Sequence, residues 1–458
     1  MSDGTGQLVD PTGNAACTHT SPCDGKHTAL HAYSEILNGD AERYYQNILD
    51  EMPKTVPTNG CRRLVIFIHG GLNTQRGTIE RAARLTPAIQ APGVYVLFIN
   101  WQSSLVSSYR DHLFSVRQGN RRVKTAWLTS PFYLLSDAAR AVARAPVIWA
   151  RGVGTIDDAT LDHIQSPTVP LDLKDIEVRE GEDFASDTER ASLRASLVIT
   201  TPTKLLTAPL IDAFGTSSWE VMKRRVHLQF HDRQYEPESG GMRGPVTDFL
   251  HRLEEIIGTD DSWEITLVGH SMGVIVLNEI IRNHGDKLPI KNIVYLAAAC
   301  TLHDYQDTVW PYLRNHRNAN IYHLMLHPNA EVRDRTTALG LGFFDWPPRG
   351  SLLVWIDDFL SQPNTLADRT AGRYKNLLRA LSATPQDLRK QIHVRVFSAG
   401  QQLRGRQPQQ HTDFGSIRFW DERCWTGVDP YPTDCYIPNL KGVPTAKGAA
   451  QAASALRP

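Results

Sequence analysis

Ser271 stands between Gly269 and Gly273 in the run Gly-His-Ser-Met-Gly, residues 269–273. A serine hydroxyl is a weak nucleophile until the backbone presents it and a base takes its proton. The two glycines bear on the first condition. A strand that turns sharply into a helix strains the residue at the bend and crowds the flanking backbone, and a residue without Cβ tolerates that crowding. The flanks have the matching character: "WEITLV" before the turn is apolar and β-rich, as a buried parallel strand is. After it Val274, Ile275, Leu277, Ile280 and Ile281 recur at helical spacing. The pattern predicts a nucleophile elbow with Ser271 at its tip. The blander reading is a chance G-x-S-x-G, and the strand–turn–helix context is what argues against it.

The elements that would position such a serine are legible on either side. Leu64 to Ile68 form an apolar run broken by His69-Gly70-Gly71, helical periodicity follows, and "GVYVLFINW" closes a β-α-β unit over 62–101. Strand-type runs return at 264–268, 292–297, 320–326 and 392–397, most of them separated by stretches able to form helices. This alternation predicts an α/β protein with a doubly wound, mostly parallel sheet. Residues 102–241 break the pattern, with helix-type segments around an acidic, irregular stretch at 155–190, and read as a helical insertion outside the sheet. The expected organisation is an N-terminal extension at 1–60, core at 61–101, insertion at 102–241, core at 242–420 and a tail at 421–458. The last sixteen residues are of low complexity.

With "HGG" after one core strand, "GHSMG" after another and the βα order from 62 to about 420, the chain resembles serine hydrolases of the α/β-hydrolase superfamily. The insertion and both termini lie outside the resemblance. The family order of Ser, then acid, then His implies that the base is His393 or His411. His393 sits near the start of its strand, whereas His411, in "QPQQHTDFGS", follows the strand on a loop and takes the role of base. The usual acid position is "HPNAEVRD", which offers Glu331 first and Asp334 as the alternative; Asp304 matches a placement known in some lipases. The resemblance also implies an oxyanion hole from the Met272 amide and that of Gly71 or Leu72. His69 reads as a residue that shapes the loop.

Composition bounds the rest. The 458 residues carry 49 Lys plus Arg and 49 Asp plus Glu, so no global field favours nucleic acid or an anionic membrane. The first residues contain no apolar stretch of signal-peptide type, and 126–150 is interrupted by Asp137, Arg140 and Arg144; both point to a cytoplasmic protein, with leaderless export left open. Six cysteines fit a reducing compartment. Cys17, His19, Cys23 and His27 match no common zinc spacing, so neither metal nor cofactor is expected; Cys424 and Cys435 read first as reduced surface thiols, with pairing under oxidation as the alternative. The expected function is hydrolysis of a small-molecule or lipid ester, with the insertion as a lid that can also make peripheral membrane contact. Its apolar residues, Phe132, Tyr133, Leu134, Leu135, Val147, Ile148 and Trp149, serve equally well as packing. Two other outcomes fit the same residues: an acyltransferase, and a non-catalytic interaction protein on this scaffold. Oligomeric state is not legible.

Overall fold

A computed structural model describes residues 61–73, 93–116, 125–161, 172–231, 243–258, 262–334 and 350–437, with isolated positions between 45 and 89 and at 260; the side chains of 151–161 and of most of 192–204 are outside that description. The strands are β1 (Arg62–Ile68), β2 (Val94–Ile99), β3 (Glu177–Arg179), β4 (Trp263–His270), β5 (Ile290–Leu296), β6 (Asn320–Leu326) and β7 (Ile392–Phe397). They form one sheet in the order β2-β1-β4-β5-β6-β7-β3, and every neighbouring pair is parallel. The flanking helices are α1 (Leu105–Phe114), α2 (Ala126–Leu161), α3 (Asp187–His227), α4 (Pro245–Ile257), α5 (Gly273–His284), α6 (Leu302–Asn315), α7 (Pro328–Arg333), α8 (Leu352–Trp355) and α9 (Tyr374–Leu381). This is an α/β architecture. The central strands are continuous apolar runs because both faces of a parallel sheet are covered, and Leu64 to Ile68, Ile265 to Val268 and Ile293 to Leu296 are all buried.

Register brings the strand ends together. Ile68 pairs with Gly269 and Leu296 with His270, so the turns after β1, β4 and β5 meet at one edge of the sheet. Leu326 pairs with Phe397, which delivers the segments after β6 and β7 to the same edge. Segments leaving the carboxyl ends of parallel strands are where open α/β sheets place their ligands.

Three expectations are corrected. The stretch 102–241 is not outside the sheet, since Glu177–Arg179 pairs with His393–Arg395 as the edge strand β3. The tail does not begin at 421: Cys424, Trp425, Tyr431 and Cys435 are buried in the main core. Cys424 and Cys435 are joined as a disulfide rather than left as surface thiols, a chemistry that belongs with oxidising compartments. Cys17, His19, Cys23 and His27 lie outside the described residues. Among the described residues, no helix is long and apolar enough to cross a membrane.

The two long helices α2 and α3 pack along each other. A capping box starts α3, Ser186 accepting from the Glu189 amide while the Glu189 carboxylate accepts from the Ser186 amide. At its other end the buried Arg225 donates to Gln102 O (3.2 Å), Ser108 Oγ (2.8 Å) and Asp111 Oδ2 (2.7 Å), which fixes the helix to the chain leaving β2.

Candidate functional site

Between β4 and α5, Ser271 adopts φ +53°, a left-handed conformation that side chains other than glycine seldom take. The turn is packed too tightly for side chains at its flanks. A Cβ at Gly273 would lie 2.3 Å from Ile68 O, and one at Gly269 would lie 2.9 Å from Val274 Cα. The bend is held by its own main chain, with Ser271 N–H donating to Leu296 O (2.8 Å) and Ser271 O accepting from Ala299 N (3.0 Å). Strain of this kind is retained where surrounding structure over-determines it. Ser271 is buried, and its Oγ has no hydrogen-bond partner.

His411 opens a short 3₁₀ turn after β7, capped by Asp413, whose carboxylate accepts from the amides of Gln409 and Gln410. The backbone of His411 is gripped from two sides. Its N–H donates to Asp334 Oδ2 (2.8 Å), and its carbonyl lies 3.1 Å from Nε2 of His270, which must donate there. The rings of His270 and His411 stand 5.2 Å apart between centroids. The residue preceding the serine therefore touches the histidine, and an acid from the segment after β6 touches it as well. Both ring nitrogens of His411 are buried without a partner. Hydrogen bonds from Ser271 Oγ to the ring, and from the ring to a carboxylate, are not made in this structure; such contacts commonly tighten only with substrate in place. Burial lowers the His411 pKa from 6.5 to about 4, which keeps the imidazole neutral and able to accept a proton at neutral pH.

The acids separate sharply. Asp334 caps the C-terminus of α7 and is buried with its carboxylate on His411. Glu331, the first-choice acid from the sequence, lies one turn earlier and points into another network: Arg373 Nε donates to its Oε2 (3.1 Å), while Arg373 Nη1 donates to Asp357 Oδ2 (3.0 Å). Burial raises the Glu331 pKa to about 7 despite that arginine. Asp304 accepts from Asn278 Nδ2 (2.7 Å) and Arg282 Nη2 (2.7 Å) on α5, and its amide is capped by Thr301. Of the three, the structure brings only Asp334 to His411.

The oxyanion candidates divide as well. Leu72, at φ +62°, donates its amide to Ser103 O (2.8 Å), so that N–H is already engaged. The amides of Gly71 and Met272 donate to no other described group, and Gly71 packs on the Met272 side chain, where a Cβ would stand 3.2 Å from Sδ. Met272 caps the N-terminus of α5, whose dipole favours negative charge there. His69 shapes the loop: Nε2 accepts from the Trp101 amide (3.1 Å), so Nδ1 carries the proton and donates to Gly70 O (2.8 Å). With both nitrogens engaged and burial lowering its pKa to about 4, the ring stays neutral and neither nitrogen is free to take up a proton. His393 sits at the β3 edge, its Nδ1 2.7 Å from Glu177 Oε2.

Two participants were not anticipated from the sequence. His270 is one, and adjacency to Ser271 was the only signal for it. Arg81 is the other: its guanidinium lies against Gly415, and its charge helps to lower the pKa of His270, after burial and after His411. Among the described residues one group has a metal donor set, His251 and Glu254 on α4 with His284 on α5. Glu254 already accepts from the Nδ1 of each histidine, and at 1.5 Å per residue His284 is roughly 20 Å along α5 from Ser271.

Comparison of the chain with protein-family models, with curated proteins and with solved structures finds no match.

Proposed function

We propose that this protein is a serine hydrolase of α/β-hydrolase type, cleaving carboxylic esters through an acyl-enzyme on Ser271. The observation that carries the proposal is the left-handed backbone at Ser271 combined with a buried hydroxyl that no protein group engages. Strain and an orphaned polar atom both cost stability, and a reaction at that atom gives them a purpose. In the proposed step Ser271 Oγ attacks the ester carbonyl as a ring nitrogen of His411 takes the hydroxyl proton. The amides of Met272 and Gly71 receive the charge that develops on the carbonyl oxygen. His411 then returns its proton to the departing alcohol, leaving the acyl group on Ser271. A water molecule, deprotonated by His411, releases the acid and restores the serine. Asp334 is the acid of this arrangement, because its carboxylate already sits on the His411 main chain.

Hydrolysis of a chromogenic ester tests the reading. Ser271→Ala is expected to lose on the order of 10⁴ to 10⁶ in kcat while keeping its thermal midpoint, since the lost hydroxyl has no partner to abandon. Turnover near the wild-type rate in the purified variant would refute it.

A further inference from the structure

At the edge of the sheet opposite Ser271, α4 ends shortly before β4 begins and α5 ends shortly before β5. The two carboxyl ends meet there: a Cβ on Gly258, just past α4, would stand 3.3 Å from the carbonyl oxygen of Lys287, just past α5. His251 and Glu254 are three residues apart on α4 and so share one face, and His284 is the last residue of α5. Their side chains converge. Glu254 Oε2 lies 3.2 Å from His251 Nδ1 and Oε1 lies 2.5 Å from His284 Nδ1, and one donor atom from each residue lies within 4.8 Å of the other two. Ligands about 2.0–2.2 Å from a tetrahedral zinc stand roughly 3.4 Å from one another, so small side-chain rotations separate this arrangement from a coordinating one. Two imidazole nitrogens select a transition metal such as zinc over Mg²⁺ or Ca²⁺, which take oxygen ligands. Three protein ligands leave a fourth position for water.

The local charge favours a cation. Glu254 occupies the last turn of α4, where the helix dipole disfavours a carboxylate, and no basic residue shares that turn. Burial opposes its ionisation, yet hydrogen bonds from His284 and His251 hold the Glu254 carboxyl below its usual range. Burial holds the His284 pKa below the ordinary histidine range, which keeps the ring in the neutral form that a metal requires. Lys287 Nζ lies 3.6 Å from Glu254 Oε2, on a side chain 59% exposed and able to swing into solvent. With the Nδ1 of each ring donating to Glu254, two protons stand where the metal would, and coordination moves each of them to the Nε2 of its own ring. His284 Nε2 is buried without a partner among the described residues, so nothing locks that ring in its present tautomer. Nothing supports the ring from behind either, and ligand histidines without such support hold metal about 10 to 100 times more weakly. Binding of that strength is reversible.

We infer that His251, Glu254 and His284 form an exchangeable site for a divalent transition metal of the zinc class, which clamps the end of α4 to the end of α5. The site is roughly 20 Å along α5 from Ser271, and the inference does not depend on the chemistry proposed there. In the test, the full chain is freed of metal by chelation and dialysis, then titrated with Zn²⁺ against a chromophoric chelator and, separately, with Co²⁺ under visible spectroscopy. The expected result is zinc binding that Mg²⁺ does not displace, a cobalt spectrum without a thiolate charge-transfer band, and a thermal midpoint that rises with zinc. His251 is 34% exposed at its side chain, so His251→Ala leaves the core closed. That variant and Glu254→Gln are each expected to weaken zinc binding by roughly tenfold or more and to cancel the thermal shift, with circular dichroism of the metal-free protein unchanged. Zinc binding no stronger in the wild type than in these variants would overturn the inference, as would a thiolate band that places the metal on cysteine.

Discussion

The turn at Ser271 and the α2–α3 pair invert one another. Around Ser271 the groups left without partners are polar and buried: Ser271 Oγ, His270 Nδ1 and both ring nitrogens of His411. On α2 they are apolar and exposed, while Asp137, Arg144 and Asp212 in the seam are paired. Folding alone favours neither arrangement, since a buried polar atom without a partner costs about 1–3 kcal/mol and exposed apolar area forgoes about 25 cal/mol per Å². Among the described residues the two regions leave opposite chemistry over: buried polar atoms in one place, exposed apolar side chains in the other.

Exchanging the acids would break the first half of this comparison. Asp334→Asn is expected to reduce kcat on the order of 10² to 10⁴, because an amide cannot stabilise the imidazolium and can hold the wrong tautomer. Glu331→Gln should leave kcat within about tenfold and instead weaken folding by about 1–3 kcal/mol through its contact with Arg373; steady-state kinetics and denaturant titration on both variants separate the two effects. The opposite pattern, with activity lost at Glu331 and kept at Asp334, would return the role to Glu331. A smaller effect sharpens the second half. Asp212→Ala, inside the seam, should destabilise by about 1.5–3 kcal/mol, whereas Phe132→Ser, on the outer face, should stay within about 0.5 kcal/mol of the wild type. A large loss for Phe132→Ser would mean that the outer face is packed by the chain itself.

Local sequence made the turn readable because strand, bend and helix each leave a short-range mark: an apolar run, two glycines, and a 3.6-residue period. The same logic shows six of the seven strands, β1, β2 and β4 to β7, since each carries a run of mostly apolar residues. It failed at β3, whose three residues, Glu177 to Arg179, pair on one side only and so carry no apolar run. Glu331 and Asp334 could not be separated because three positions along the chain give no direction. The C-terminal end of α7 and the Arg373 network decide which carboxylate turns toward His411. Leu72 was a fair oxyanion candidate until Ser103, thirty-one residues away, took its amide. The apolar residues of α2 were visible, but which side of the helix they occupy depends on where α1 and α3 pack. The Cys424–Cys435 pair likewise required the fold of the last described residues.

Covalent trapping with a serine-directed fluorophosphonate, followed by peptide mapping and by the labelling rate as a function of pH, addresses the central assignment most directly. Since burial holds the His411 imidazole neutral down to about pH 4, the base stays available well below the ordinary histidine range and is lost only as the ring takes up a proton. The account predicts a single adduct on Ser271, formed at a rate that falls by half near pH 4 in protein still folded by circular dichroism, and slowed by orders of magnitude in His411→Ala. An unmodified Ser271, or an adduct formed equally fast in His411→Ala, would contradict it.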